Sequence, residues 1–124
     1  MLWDCEKQGC FNKLRRPKIE VFADCFPRRI NFGDVDGLVE LNGQGLLLEW
    51  KTGKGTLPMG QRIAHQNLTK DGKFTTLCVV GNAETMECTA YGFFWKGKWT
   101  DYQTANLENV KNFIRRWAKQ AQKS

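Results

Sequence analysis

The sequence is poor in histidine, proline and long apolar runs. It has one histidine and three prolines, and no two of its five cysteines form a Cys-x-x-Cys pair, which excludes the common zinc-finger spacings. The longest apolar stretches, at residues 46–48 and 77–80, are much shorter than the ~18 residues of a membrane-spanning helix. The first residues also lack the basic and then apolar order of a signal peptide. We therefore expect a cytoplasmic protein with no membrane partner.

The cysteines occupy positions 5, 10, 25, 78 and 88, an odd number without a secretion signal. We expect reduced thiols in an intracellular compartment, acting mainly as small buried apolar side chains. The alternative is a loose zinc site formed by Cys5, Cys10 and Cys25, whose spacing is not diagnostic.

Aromatic and basic residues are plentiful. Five Trp and eight Phe supply the apolar area of a core, and 124 residues suit one domain, over residues 1–124. Lys and Arg total 19 against 13 Asp and Glu, a net charge of +6 that favours an anionic partner such as nucleic acid. An ordinary solvated basic surface explains the charge equally well.

The apolar pattern predicts an α/β domain, of the α+β kind with a mixed sheet. The predicted elements begin with a short helix within residues 1–16, a helix between Pro17 and Pro27 and a short strand at Ile30 and Phe32. They continue with a hairpin over residues 34–51, a helix from Pro58 to about Leu68, strands over residues 73–80 and 85–95, and a turn at Lys96-Gly97. The last predicted element is an amphipathic helix over residues 105–121, with one apolar stripe formed by Leu107, Val110, Ile114, Trp117 and Ala121.

The hairpin is the most informative element, because Asn42-Gly43 between two alternating runs is a strong turn signal. A two-residue turn places Asp36 opposite Glu49 and Asp34 opposite Lys51. A four-residue loop shifts the register by two and keeps these groups on one face.

Opposed carboxylates repel each other, which indicates that a cation lies between them or that one is protonated. Oxygen ligands suit Mg²⁺ or Mn²⁺, and the ammonium of Lys51 adds a group that can orient water or stabilise negative charge during phosphodiester hydrolysis. The alternative is a surface hairpin in which Lys51 only neutralises an acidic neighbour.

Asp36 followed by Glu49-Trp50-Lys51 resembles the acidic motif of the PD-(D/E)XK nuclease superfamily. The glycine-rich loop after Lys51, Gln61 on the next helix and the Gly72-led return to a strand resemble its VRR-NUC branch and small phage-encoded relatives. The resemblance covers about residues 30–81. The chain departs from the motif in having Val35 where the name motif has proline.

The resemblance implies a restriction-endonuclease-like core with a central hairpin, a following helix, further strands and a C-terminal amphipathic helix. It also implies a Mg²⁺- or Mn²⁺-dependent deoxyribonuclease. Asp36 and Glu49 would be the metal ligands together with the Trp50 carbonyl, with Asp34 as the alternative aspartate. Lys51 would position the attacking water, and Gln61 would hold Lys51 or a phosphate.

Further residues are expected around this site. Glu20 is a candidate for the glutamate that many members carry on the first core helix. His65 is expected to be a packing or surface histidine, with a phosphate contact beside Arg62 as the alternative, and Gln66 is expected to face away from the site. The candidate phosphate contacts are Lys54, Arg62, Arg28 and Arg29.

The expected partner is DNA, structured or branched, with RNA left open and a homodimer expected from the small size. A phage-encoded protein would act in the host cytoplasm. Two other functions stay open. One is a non-catalytic nucleic-acid-binding module, and the other is a phage accessory protein that binds a host protein, with Phe93-Phe94-Trp95 as an exposed anchor instead of core.

Overall fold

The computed structural model describes residues 18–28 and 32–123. The chain divides into two compact units, residues 1–34 and 35–124. In the described part of the first unit, Ile19–Cys25 forms a 3₁₀ helix, shorter and tighter than the helix expected between the two prolines. None of the side chains in this 3₁₀ helix is buried, and Glu20 lies in its first turn. Phe32 is not in a strand, and the helix expected within residues 1–16, Arg29 and Ile30 lie outside the described residues.

The second unit contains a five-stranded mixed sheet and two α-helices. The elements are β1 (Gly37–Leu41), β2 (Gln44–Lys51), α1 (Met59–Leu68), β3 (Phe74–Asn82), β4 (Glu87–Trp95), β5 (Lys98–Thr104) and α2 (Leu107–Gln122). The strands lie in the order β1-β2-β3-β4-β5, and only β2 and β3 run parallel. The helix α1 is the crossover between these parallel strands, as a parallel pair requires.

The two-residue hairpin turn is confirmed. Leu41 pairs with Gln44, and the register continues unbroken to Gly37 and Leu48. Asn42 and Gly43 have φ values of 53° and 85°, the positive values that a tight turn between twisted strands requires. The mixed α+β class and the helix after Pro58 agree with the sequence, whereas β5 was not expected as a strand.

The face of the sheet that α2 covers holds the main apolar core. Buried Val110 and Ala121 anchor α2, whose first turn is closed by a capping box between Asn106 and Asn109. The expected stripe on this helix is wrong at one position, because Ile114 is 36% exposed and Phe113 packs on the core instead. The buried members of the core are Leu46, Leu77, Val79, Cys88, Tyr91, Ala105 and Val110.

The opposite face of the sheet packs against α1. His65 of α1 stacks on Phe94 with ring centroids 5.6 Å apart, and Phe94 is fully buried. Phe93 packs against the core on the α2 side, so the core interpretation holds for both phenylalanines, while Trp95 is 49% exposed. None of the helices within the described ranges is long and apolar enough to cross a membrane.

The described cysteines are free thiols. Cys78 and Cys88 are buried, as expected, and Cys25 is exposed. Cys5 and Cys10 lie outside the described residues, so the zinc alternative stays a prediction, as does the single domain over residues 1–124.

Candidate active site

Four polar side chains meet where the carboxyl end of β2 faces the first turns of α1. Glu49 and Lys51 are two residues apart in β2, so both project from the same face of the sheet. Gln61 and His65 are four residues apart in α1, so they lie on one face of the helix. Because α1 packs on this side of the sheet, the two pairs come into contact.

Glu49 is the buried acid of the site, with 5% of its surface exposed. Its Oε1 lies 3.3 Å from Nε2 of His65, and its Oε2 lies 3.9 Å from Nζ of Lys51. A buried carboxylate is costly unless it has polar partners, and each oxygen has one here.

Lys51 is fixed by the helix. Its Nζ donates a hydrogen bond of 2.6 Å to Oε1 of Gln61, and its side chain is only 16% exposed. A lysine ammonium on a flexible four-carbon stem normally samples many positions. The amide of Gln61 therefore restricts the ammonium to the neighbourhood of Glu49.

Asp36 lies at the end of the hairpin, next to the peptide that follows Glu49. The paired register ends at Gly37, so the expected direct pairing of Asp36 with Glu49 is not formed. Instead, the backbone N–H of Asp36 donates to the Leu48 carbonyl at 3.1 Å, and its Oδ2 accepts from the Trp50 N–H at 2.6 Å. This hydrogen bond draws the carboxylate onto the backbone of β2.

The Trp50 carbonyl points to the same side as this carboxylate. In a strand, the N–H and C=O of one residue are directed towards the same neighbouring strand. The N–H of Trp50 is directed towards Asp36, and the ladder between β1 and β2 has already ended at this point. The carbonyl therefore lies beyond the last pair of the ladder, on the Asp36 side of β2.

The carboxylates of Asp36 and Glu49 and the Trp50 carbonyl are the oxygen atoms that could hold a metal. Within the described ranges, no three His, Cys, Asp or Glu side chains converge into a metal site of their own. In proteins, Mg²⁺ keeps several waters and is typically bound by one or two carboxylates together with substrate phosphate oxygens.

His65 is the residue whose place the sequence did not predict. It is a packing histidine, 5% exposed, but it also contacts the predicted ligand Glu49. Its Nδ1 lies 3.0 Å from Oγ1 of buried Thr76 on β3. The signal that could have revealed it is its position four residues after Gln61, on the same helix face.

The loop between β2 and α1 is held by Tyr102 of β5. The Tyr102 hydroxyl donates a 2.6 Å hydrogen bond to the Gly55 carbonyl. Gly55 has φ 69°, and a Cβ atom there would approach a methyl group of Val80 at 2.6 Å. Burial, with Cys78 and Asp101 adding to it, raises the pKa of Tyr102 to about 12.

Cys78 is the neighbour of Glu49 in the parallel register. Burial, and then the charge of Glu49, raise the pKa of Cys78 to about 12, while Lys51 acts in the opposite direction. The thiol therefore stays protonated at neutral pH, and a protonated thiol is a poor nucleophile.

The sequence also predicts Lys54, Arg62, Arg28 and Asp34 around the site. Lys54 is exposed in the glycine-rich loop, and Arg62 is half-buried on α1. Arg28 is exposed in the first unit with φ 58°, and Asp34 also belongs to that unit. The structure thus brings together Glu49, Lys51 and Gln61, with Asp36 on the adjoining backbone.

An open pocket of about 540 Å³ lies at the carboxyl ends of β2 and β3. It begins at Thr52 and Gly53, directly after Lys51, and is also lined by Glu84 and Glu87. Acidic side chains do not suit a phosphate backbone. The lining of this pocket is therefore unlike that of a phosphate-binding surface.

Comparisons with protein-family models, curated proteins and solved structures find no match for this chain.

Proposed function

We propose that this protein is a Mg²⁺- or Mn²⁺-dependent endonuclease that hydrolyses phosphodiester bonds in DNA, with a restriction-endonuclease-like core of the PD-(D/E)XK type. The observation that carries the proposal is the ammonium of Lys51, held by Gln61 and 3.9 Å from the buried carboxylate of Glu49. A fixed cation beside a buried acid, at the end of a central strand, is the arrangement that this chemistry needs.

Asp36, Glu49 and the Trp50 carbonyl would hold the metal ion. When bound, such an ion neutralises charge on a phosphate oxygen and lowers the pKa of a coordinated water. Lys51 orients the attacking water, or stabilises the extra negative charge that develops on the phosphate during attack. Gln61 keeps the ammonium in place before the substrate arrives, so little reorganisation is needed at the moment of reaction.

The distribution of charge supports a polyanionic substrate. Residues 33–51 hold four acidic side chains and one basic side chain, a net charge of −3, so the rest of the chain carries +9. Basic side chains attract a phosphate backbone by long-range electrostatics, while a local acidic segment attracts the cation.

The test is cleavage of plasmid, single-stranded DNA, a four-way DNA junction and RNA, each with Mg²⁺, with Mn²⁺ and with EDTA. We expect metal-dependent cleavage of DNA, and a loss of at least about 100-fold in Asp36→Asn, Glu49→Gln and Lys51→Ala, in line with the effect of removing one transition-state contact. Glu87→Gln, at an exposed position of β4, is the matched control and should cleave as the parent does. Absence of cleavage with either metal, or full activity in Lys51→Ala, would contradict the proposal.

A second candidate is a non-catalytic nucleic-acid-binding module. It is favoured by Trp95, which is 49% exposed and has Nζ of Lys96 4.7 Å from the centroid of its ring. An exposed indole can stack on a base while the neighbouring cation contacts the phosphate. In that case DNA would be bound without cleavage, and Glu49→Gln and Lys51→Ala would leave the affinity unchanged.

A further inference from the structure

A buried chain of polar contacts leads from β3 through α1 to the predicted metal ligand. Oγ1 of Thr76 lies 3.0 Å from Nδ1 of His65, and Nε2 of His65 lies 3.3 Å from Oε1 of Glu49. Thr76 is fully buried, and His65 and Glu49 are each 5% exposed. Two of the three residues belong to adjacent strands, and the histidine joins them from the helix above.

Both ring nitrogens of His65 have a polar neighbour. A carboxylate oxygen can only accept, so a ring proton on Nε2 faces Oε1 of Glu49. The hydroxyl of Thr76 can donate to Nδ1 or accept from it, depending on the tautomer of the ring. Each polar atom of the imidazole therefore has a partner within reach, as a buried ring requires.

The ring of His65 is held in this orientation by its surroundings. It stacks on the fully buried ring of Phe94, and the backbone carbonyl of His65 accepts a 2.7 Å hydrogen bond from the hydroxyl of buried Thr69. His65 is therefore fixed before any ligand binds.

From this geometry we propose that His65 is a positioning residue that engages Oε1 of Glu49 and leaves Oε2, on the Lys51 side, as the oxygen that binds the metal. The inference rests on the proposed function, in which Glu49 is a ligand. A carboxylate with one oxygen in contact with a buried histidine cannot rotate freely. Its other oxygen is therefore held in one direction, towards Lys51. Hydrogen-bond partners of metal ligands typically change metal affinity or activity by 10–100-fold when they are removed.

The experiment compares His65→Gln with His65→Asn. The amide nitrogen of glutamine can reach the position of Nε2, whereas the shorter asparagine places its amide near Nδ1 and cannot reach Glu49. Mn²⁺ affinity is measured by electron paramagnetic resonance in the absence of DNA, and stability by urea unfolding. We expect His65→Asn to weaken Mn²⁺ binding by about 10–100-fold and His65→Gln to restore most of it.

A purely structural role predicts a different result, because both amides disturb the buried pocket of the ring. Equal Mn²⁺ affinities in His65→Gln and His65→Asn would therefore overturn the proposal. If His65→Asn does not fold, Thr76→Val provides the comparison. It removes the hydroxyl that lies 3.0 Å from Nδ1 at nearly constant volume, and should weaken Mn²⁺ binding where His65→Gln does not. Unchanged Mn²⁺ binding in Thr76→Val would then count against the proposal.

The Mn²⁺ affinity of Glu49→Gln shows whether a failure concerns the role of His65 alone or the proposed function as well. If Glu49→Gln binds Mn²⁺ as tightly as the parent, Glu49 is not a ligand, and both proposals fail. If Glu49→Gln loses Mn²⁺ while His65→Asn keeps the parent affinity, only the role of His65 fails.

Discussion

At the scale of single residues, the site depends on how the two oxygens of Glu49 are shared. One faces the imidazole of His65 and the other faces the ammonium of Lys51, so the two sides of one carboxylate have different surroundings. Burial strengthens both interactions, because the local dielectric constant is lower than that of water. Small changes in the neighbours of Glu49 should therefore have large effects on activity.

Gln61 offers a direct test of this dependence. In Gln61→Ala the ammonium of Lys51 loses its 2.6 Å hydrogen bond and regains conformational freedom. We expect the rate of DNA cleavage to fall by about 10-fold or more, with Mn²⁺ affinity nearly unchanged, as for a lost positioning contact. The measurement is single-turnover cleavage of a labelled DNA.

Gln66→Ala is the matched control, on the same helix. It removes the same side chain five residues later, about 140° around the helix axis, and should cleave at the parent rate. Equal losses in the two variants would show that the effect belongs to the helix and not to the contact with Lys51.

At the scale of elements, the turn of the hairpin determines the register that brings Asp36 beside β2. Gly43 has φ 85°, and a Cβ atom at this position would meet no atom within 4 Å. In Gly43→Ala the only cost is the backbone conformation, so we expect a loss of about 1 kcal/mol in the free energy of unfolding. Urea denaturation measures this loss.

Gly60 provides the control for this prediction, because a Cβ atom there also meets open space but the residue is helical. Gly60→Ala should be neutral or should stabilise the protein by up to about 1 kcal/mol. A loss of stability in Gly60→Ala as large as that in Gly43→Ala would show that the positive φ is not the cause.

Tyr102, which holds the loop between β2 and α1, makes the stability of the protein depend on pH. The pKa of Tyr102 is raised to about 12 in the folded protein, while an unfolded tyrosine titrates near about 10. The folded state therefore holds the proton more tightly, and its contribution to stability is complete below about pH 10 and is lost as the pH rises towards 12.

Tyr102→Phe removes both this contribution and the hydrogen bond to Gly55. We expect the variant to be less stable than the parent at pH 8, with a difference that narrows as the pH rises from about 10 to 12. Urea unfolding over this range measures it. The pKa of Cys78 is raised by burial in both proteins, so its burial does not distinguish the variant from the parent. A difference that is constant with pH would contradict the assignment.

At the scale of the whole molecule, the net charge of +6 predicts that DNA binding weakens with salt. Each phosphate contact contributes about −0.9 to the slope of log affinity against log salt concentration. Lys54→Gln removes an exposed cation close to Lys51 in the chain. For this variant we expect the slope of log affinity against log salt concentration to be shallower by about 0.9, the contribution of one phosphate contact. Fluorescence anisotropy with EDTA present measures binding without cleavage.

Lys119→Gln is the control, because Lys119 is an exposed cation of equal charge on α2, which covers the other face of the sheet from α1. Its slope should stay close to that of the parent. Equal changes in Lys54→Gln and Lys119→Gln would show that the DNA senses only the total charge.

Much of this fold could be predicted from local patterns. The Asn42-Gly43 turn predicted the hairpin and left two registers open, of which the structure has the one with the two-residue turn, and Pro58 predicted the start of α1. The strand β5 was missed because Lys98–Thr104 carries no buried residue, so its apolar alternation is weak. On α2, Phe113 and Ile114 are adjacent in the chain. Which of the two side chains packs on the core depends on the angle at which the helix meets the sheet.

The sequence by itself determined that Glu49 and Lys51 share one face of a strand, because side chains alternate along a strand whatever surrounds it. It also determined that Gln61 and His65 share one face of a helix, because helical neighbours recur every three to four residues. Only the tertiary structure decided that these two faces meet, that Asp36 bonds to the Trp50 N–H, and that His65 contacts Glu49. Those contacts depend on the crossover of α1 over the sheet and on the point where β1 stops pairing, which no local pattern encodes.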